Sequence, residues 1–174
     1  MSCRCAAQRG TTLIELMLGI ALLGIIATLT LPSFTAFLDR SRLDGAIKAL
    51  DADLQWARGE AVKRNAPIGI TFTAGLPWSY TLSEAGGTTI KTTQGSAFHN
   101  TTMNVPVLGG GAALSLQPNR GAITTPAGLP LDSAVVFESA QGRIACVRFN
   151  QLGRTQLCSP PGANHLSGVN ECAC

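Results

Sequence analysis

The sequence predicts an α+β protein: one long N-terminal helix followed by an antiparallel sheet packed on its second half. Three observations predict it. A run of 23 residues, Leu16 to Leu38, contains no charged residue. After it, apolar residues recur at helical spacing as far as Ala61. From Pro67 onward that period gives way to short β-prone runs separated by glycine and proline, and strands following one long helix indicate an α+β domain. Composition narrows the class further. Charged residues make up 13% of the 174-residue chain, against roughly a quarter in an ordinary soluble domain. A disordered tail protein is excluded, because disorder needs high charge and few apolar groups. The formal charge of +3 is local: without Arg4 and Arg9 the balance is 11 basic against 10 acidic residues. That is not the composition of a generally basic nucleic-acid binder.

The charge-free run is the first element. At about 1.5 Å per helical residue it reaches roughly 34 Å, enough for a hydrocarbon core of about 30 Å. Lipid offers no partner for backbone N–H and C=O groups, so the segment should be a helix. Pro32 removes one backbone donor and should kink it. A secretory signal would end its apolar region at a small-residue cleavage site. Here the helical pattern runs on past Leu38, and the small, charge-flanked site lies before the apolar run, at Arg9-Gly10-Thr11. Arg4 and Arg9 bias the N-terminus to the cytoplasm, so the chain after about Asp39 should lie outside.

Glu15 stands at the edge of the apolar run, in Thr11-Thr12-Leu13-Ile14-Glu15-Leu16. Two readings are open. Thr12 and Glu15 have the spacing of a capping box. Alternatively, the carboxylate awaits a cation from another chain, such as the amine that Thr11 would gain if the bond after Gly10 were cut.

Arg-Gly followed by TTLIEL, a charge-free helix and a proline about twenty residues on resembles type IV prepilins and type II secretion pseudopilins. The resemblance implies cleavage after Gly10 by a prepilin peptidase/methyltransferase and N-methylation of Thr11, with threonine where the family usually has phenylalanine. It implies that Glu15 neutralises the Thr11 amine of a neighbouring pilin or pseudopilin during assembly. It also implies a single-pass protein of the bacterial inner membrane, its N-terminus cytoplasmic and its C-terminal domain periplasmic, that passes into a pilus or pseudopilus.

The helix should continue outside the bilayer. Leu43, Ile47, Leu50, Leu54, Ala57 and Ala61 form one stripe, while Asp39, Arg40, Arg42, Asp44, Lys48, Asp51, Asp53 and Arg58 should occupy the other faces. Lys63 and Arg64 suit the negative end of the helix dipole, and Asn65 and Pro67 mark its end. Four segments follow: a leader at 1–10, a transmembrane half-helix at 11–38, an amphipathic half at 39–66 and a periplasmic β domain at 67–174. Strands are expected at Ile68–Phe72, Trp78–Leu82, Thr88–Thr93, Ala113–Gln117, Ala134–Phe137, Ile144–Phe149 and Thr155–Leu157. Ser96–Ala112 reads as a long loop.

Cys146, Cys158, Cys172 and Cys174 would be oxidised outside the cytoplasm. A hairpin centred on Leu152 places Cys146 opposite Cys158 with Cα atoms about 4.5–5.5 Å apart, within bonding range. The expected pair is therefore Cys146–Cys158, leaving Cys172 and Cys174 to each other. A Cys158–Cys172 bridge is the competing arrangement.

This hairpin, with Val135-Val136-Phe137 and the long helix, resembles the C-terminal region of the pseudopilin H/FimT group, which includes the H minor pseudopilin and the FimT and FimU minor pilins. In FimT-type proteins a Gly-Arg-x-Arg element contributes to DNA capture. Gly153 and Arg154 match it, and Gln156 stands at the place of the second arginine. Arg143, Arg148 and Arg154, with Arg120, are the candidate DNA contacts; so few phosphate contacts would give weak, salt-dependent binding. The other reading is a solvated hairpin whose arginines keep it soluble. His99 and His165 sit in no metal, triad or phosphate-loop motif, so no enzyme activity, metal or cofactor is expected. Trp56 and Trp78 read as packing residues.

Overall fold

A computed structural model describes residues 12–105, 112–126, 132–162 and 164–174. Gly10 and Thr11 lie outside the described residues. The chain divides into two units, Met1–Phe37 and Leu38–Cys174.

Helix α1 runs Leu13–Arg64 and belongs to both units. In the first unit every large apolar side chain described is exposed, from Leu13 at 76% to Phe37 at 64%. Among the described residues no single unbroken helix is long and apolar enough to cross a membrane. Two portions of α1, Leu13–Thr28 and Ser33–Arg64, together meet the length and composition of a span. The break between them holds Pro32, whose nitrogen has no hydrogen to donate. The C-terminus of α1 is capped by geometry: Asn65 takes φ 51°, and Ala66 N–H donates to the Ala61 carbonyl at 3.2 Å, closing the last turn as a left-handed residue does.

In the second unit the expected helix stripe is the core. Leu43, Ile47, Leu50, Leu54, Ala57 and Ala61 are buried and share one cluster with residues of both sheets. Each such leucine or isoleucine contributes about 1.5–3 kcal/mol on burial. The strands are β1 (Ile68–Thr73), β2 (Ser79–Glu84), β3 (Thr89–Gln94), β4 (Thr101–Asn104), β5 (Ala113–Leu116), β6 (Ile123–Thr124), β7 (Ser133–Ser139), β8 (Ile144–Phe149), β9 (Thr155–Ser159) and β10 (Asn170–Glu171). They form two sheets, ordered β3-β2-β1-β5-β6 and β10-β9-β8-β7-β4. The pairs are antiparallel except β9 with β10, which is parallel. β4 lies inside the stretch expected to be a loop, and β6 and β10 are two-residue strands that carry no periodic signal. Trp78 is buried, stacks on Phe98 and Tyr80, and donates its indole N–H to the Thr101 carbonyl at 2.8 Å. Trp56, expected to pack, is 43% exposed.

Two acidic residues expected on solvated faces are buried. Asp53 is 6% exposed; it accepts from Tyr80 Oη at 2.9 Å, Lys91 Nζ at 2.5 Å and Thr93 Oγ1 at 3.2 Å. It thus ties α1 to β2 and β3. Burial, partly offset by a hydrogen bond with Thr93, and the Asp53 charge and hydrogen bond push the Tyr80 phenol far above its ordinary pKa. Asp39 is 8% exposed, and its Oδ2 has no partner among the described residues.

The cysteine pairing differs from expectation. The β8–β9 register does place Cys146 opposite Cys158. The bonds, however, join Cys146 to Cys174 and Cys158 to Cys172, with Cα separations of 5.9 and 5.5 Å. β10 returns alongside β9 with Asn170 level with Cys158, bringing Cys172 and Cys174 to the two facing cysteines. Each cross-strand cysteine thus bonds the tail rather than its neighbour, and the competing Cys158–Cys172 bridge is the one present.

Candidate functional site

The first site is the start of α1. Thr12 is the N-cap: its Oγ1 accepts from the Glu15 N–H at 3.3 Å, and its carbonyl accepts from the N–H groups of Glu15 and Leu16 at 3.1 and 3.2 Å. Such a cap satisfies donors that the first turn leaves unpaired. It uses only the backbone of Glu15, which any residue could supply. The carboxylate is exposed and has no hydrogen bond or ion pair among the described residues. The Thr12 half of the capping box is present, the return bond from the Glu15 carboxylate is not seen among the described residues, and the cap does not account for the acid.

The second site is the turn joining β8 and β9. Asn150 Oδ1 accepts from the N–H groups of Leu152 and Arg154 at 3.1 and 3.0 Å, and Gly153 takes φ 75°. Gly153 packs so closely on the turn after β5 that a Cβ there would lie 2.1 Å from the Gly121 carbonyl oxygen. Arg58 of α1 fastens both turns, donating to the Gly153 carbonyl at 3.2 Å and the Arg120 carbonyl at 3.1 Å. From spacing alone Arg58 falls off the apolar stripe, on a face expected to be solvated. Its place four residues after the buried Leu54 and next to the buried Ala57 is the signal that it borders the core stripe.

The arginine cluster divides. Arg148 and Arg154 line one groove of about 510 Å³ with Asp132, Phe149, Asn150, Thr155 and Gln156. Arg148 donates to the Ala173 carbonyl at 3.3 Å, while no hydrogen bond or ion pair holds the Arg154 side chain among the described residues. Arg120 belongs to the same end, through its carbonyl's bond to Arg58. Arg143 does not. It lies in the turn between β7 and β8, at the opposite end of β8 from Arg148 and Arg154. Asp132 also enters the groove, with Oδ1 accepting from the Gln151 N–H at 2.6 Å. Among the described residues no group of three His, Cys, Asp or Glu side chains could hold a metal.

Comparison with known proteins gives a family and a fold. Residues 46–153 match the family described as type II transport protein GspH, and residues 5–31 match the prokaryotic N-terminal methylation motif. A pilin-like protein, PilA1 of Thermus thermophilus, is 30% identical over 159 residues, covering 86% of this chain and 98% of that protein. Among solved structures, the type IV minor pilin FimU of Pseudomonas aeruginosa PAO1 matches with a TM-score of 0.53 at 21% identity, covering 72% of this chain and 92% of that one. The last likeness is one of fold.

Proposed function

The chain belongs to the type II transport protein GspH family of minor pilins and pseudopilins, and from that premise we propose that it is a prepilin cut after Gly10, methylated at Thr11 and built into the tip region of a pilus or pseudopilus. It is a structural subunit, not an enzyme, anchored in the membrane by its N-terminal helix. Its partners are other pilins and the prepilin peptidase. In the proposed topology residues 1–10 are a cytoplasmic leader, 11–38 span the inner membrane, and 39–66 and 67–174 lie in the periplasm as half-helix and β domain.

The observation that carries this reading is the Glu15 carboxylate, without a partner among the described residues and flanked by exposed Leu13, Ile14, Leu16 and Met17. An acid at the centre of a membrane helix costs on the order of 2.5–3.5 kcal/mol, and less near the interface. Pairing with the Thr11 amine of a neighbour offsets that cost and sets the axial register between the two helices. Intact-mass analysis of the membrane-extracted protein tests the processing. The expected species lacks residues 1–10 and carries one added methyl group; recovery of the full-length mass from cells with an active peptidase contradicts it.

A second reading, capture of DNA during transformation, is favoured by one observation: Arg148 and Arg154 share a groove, and the Arg154 side chain has no hydrogen bond or ion pair among the described residues. Gel-shift titration of the detergent-solubilised chain against duplex DNA tests it, at low and physiological salt. No shift even at low salt removes this reading.

A further inference from the structure

The four described cysteines form one cluster in which the residues that face each other are not the residues that are bonded. Cys146 and Cys158 are directly opposed across β8 and β9, both fully buried, yet each is bonded to the C-terminal tail. Opposed residues in an antiparallel pair have Cα atoms about 4.5–5.5 Å apart, within disulfide range, so a Cys146–Cys158 bond needs no rearrangement of the hairpin.

That bond is also the one the chain reaches first. The Asn150–Gly153 turn fixes the β8–β9 register locally, through Asn150 and the hydrogen bond from its N–H to the Arg154 carbonyl at 3.1 Å. Cys146 and Cys158 are twelve residues apart, whereas the native Cys146–Cys174 bond spans 28. Loop-closure entropy favours the shorter ring about three- to four-fold over that bond but hardly over the Cys158–Cys172 bond, which spans 14; there the hairpin's pre-alignment decides. The native bonds require the tail to dock on β9, where β10 contributes a two-residue strand. That docking also buries Leu166 in the core and pairs Ile144 with His165, so it waits on the assembled domain, whereas the hairpin closes locally.

We propose that this domain is a client of a thiol–disulfide isomerase, which converts an early Cys146–Cys158 bond into the two tail bonds. The proposal rests on delivery of the domain to an oxidising compartment. First, a disulfide oxidant takes two electrons and two protons from Cys146 and Cys158. An isomerase thiolate then attacks Cys158 Sγ, forming a mixed disulfide and releasing Cys146 as a thiolate. The Cys172 thiolate attacks Cys158 Sγ in turn, making Cys158–Cys172 and regenerating the isomerase thiolate. Cys146 and Cys174 finally lose two electrons and two protons to a second molecule of oxidant. An isomerase is needed because an ordinary thiol, with a pKa near 8.5, is only a few per cent thiolate at neutral pH, and an undocked tail brings little of it to a buried bond.

The test refolds the reduced full-length chain, carrying Cys3→Ser and Cys5→Ser, in detergent with oxidised glutathione, and maps disulfides over time by peptide mass spectrometry. The Cys146–Cys158 species should dominate early and convert at least ten-fold faster when protein disulfide isomerase is added. Native bonds formed without that species, or conversion equally fast without isomerase, overturn the proposal. The Cys172→Ser, Cys174→Ser variant should form Cys146–Cys158 quantitatively; failure to do so refutes the geometric premise. The map is read on the refolded chain, so it is independent of leader cleavage and filament assembly.

Discussion

Replacing Asp53 by alanine tests whether a buried acid holds the helix to the first sheet. Three donors lose their acceptor. Tyr80 is fully buried, and a buried hydroxyl left unsatisfied costs about 1–3 kcal/mol. Lys91 is 48% exposed, so its ammonium returns to water at a cost below about 1 kcal/mol. Loss of the Thr93 bond adds about 0.5 kcal/mol, for a total of about 2–4 kcal/mol. Asp53→Asn keeps an acceptor for Tyr80 and should cost only about 1 kcal/mol. Urea unfolding of the detergent-solubilised chain, followed by tryptophan fluorescence, gives both values from the midpoint shift at unchanged slope. An alanine cost under about 0.5 kcal/mol, as for a surface carboxylate, would refute the reasoning. So would equal costs for the two variants.

Three further outcomes follow from the same geometry. Tyr80 is the sole tyrosine of the chain, so absorbance at 295 nm titrates it alone. Its folded pKa lies above the unfolded value near 10, so its contribution to stability is full below pH 10 and is lost as pH rises beyond it; Tyr80→Phe should flatten that alkaline loss. Gly153→Ala places a Cβ against the Gly121 carbonyl at a positive φ and should cost upwards of about 2 kcal/mol in the same unfolding assay. If the hairpin arginines bind DNA, Arg148→Ala and Arg154→Ala should each weaken a low-salt gel shift several-fold, because each removes about one phosphate partner. Arg143→Ala, at the far end of β8, should leave the shift within two-fold; equal effects of all three would contradict the division of the cluster.

The helix and most strands were legible because periodicity reports which face is buried. The apolar stripe from Leu43 to Ala61 and the Leu152-centred hairpin both follow from spacing alone. Asp53 and Arg58 were misread for the same reason. A charge between apolar positions reads as solvated unless its partners are known, and those of Asp53 lie 27 to 40 residues away. The disulfides were hidden because β10 pairs through two exposed residues, Asn170 and Glu171, that carry no pattern. Arg143 seemed close to Arg148 because sequence proximity ignores strand length. Five residues of extended chain separate them by about 17 Å. The acid at Glu15 was legible as an anomaly because nothing else in the first turn of α1 is charged.

The most direct test of the account measures incorporation of Glu15→Ala and Glu15→Gln variants into the sheared filament fraction. If the carboxylate meets the Thr11 amine of a neighbour, both variants should be cleaved normally, accumulate in the membrane and fall at least ten-fold in the filament fraction. That drop corresponds to about 1.4 kcal/mol of lost pairing, within what one partly buried ion pair can supply. Wild-type incorporation of either variant would contradict the account.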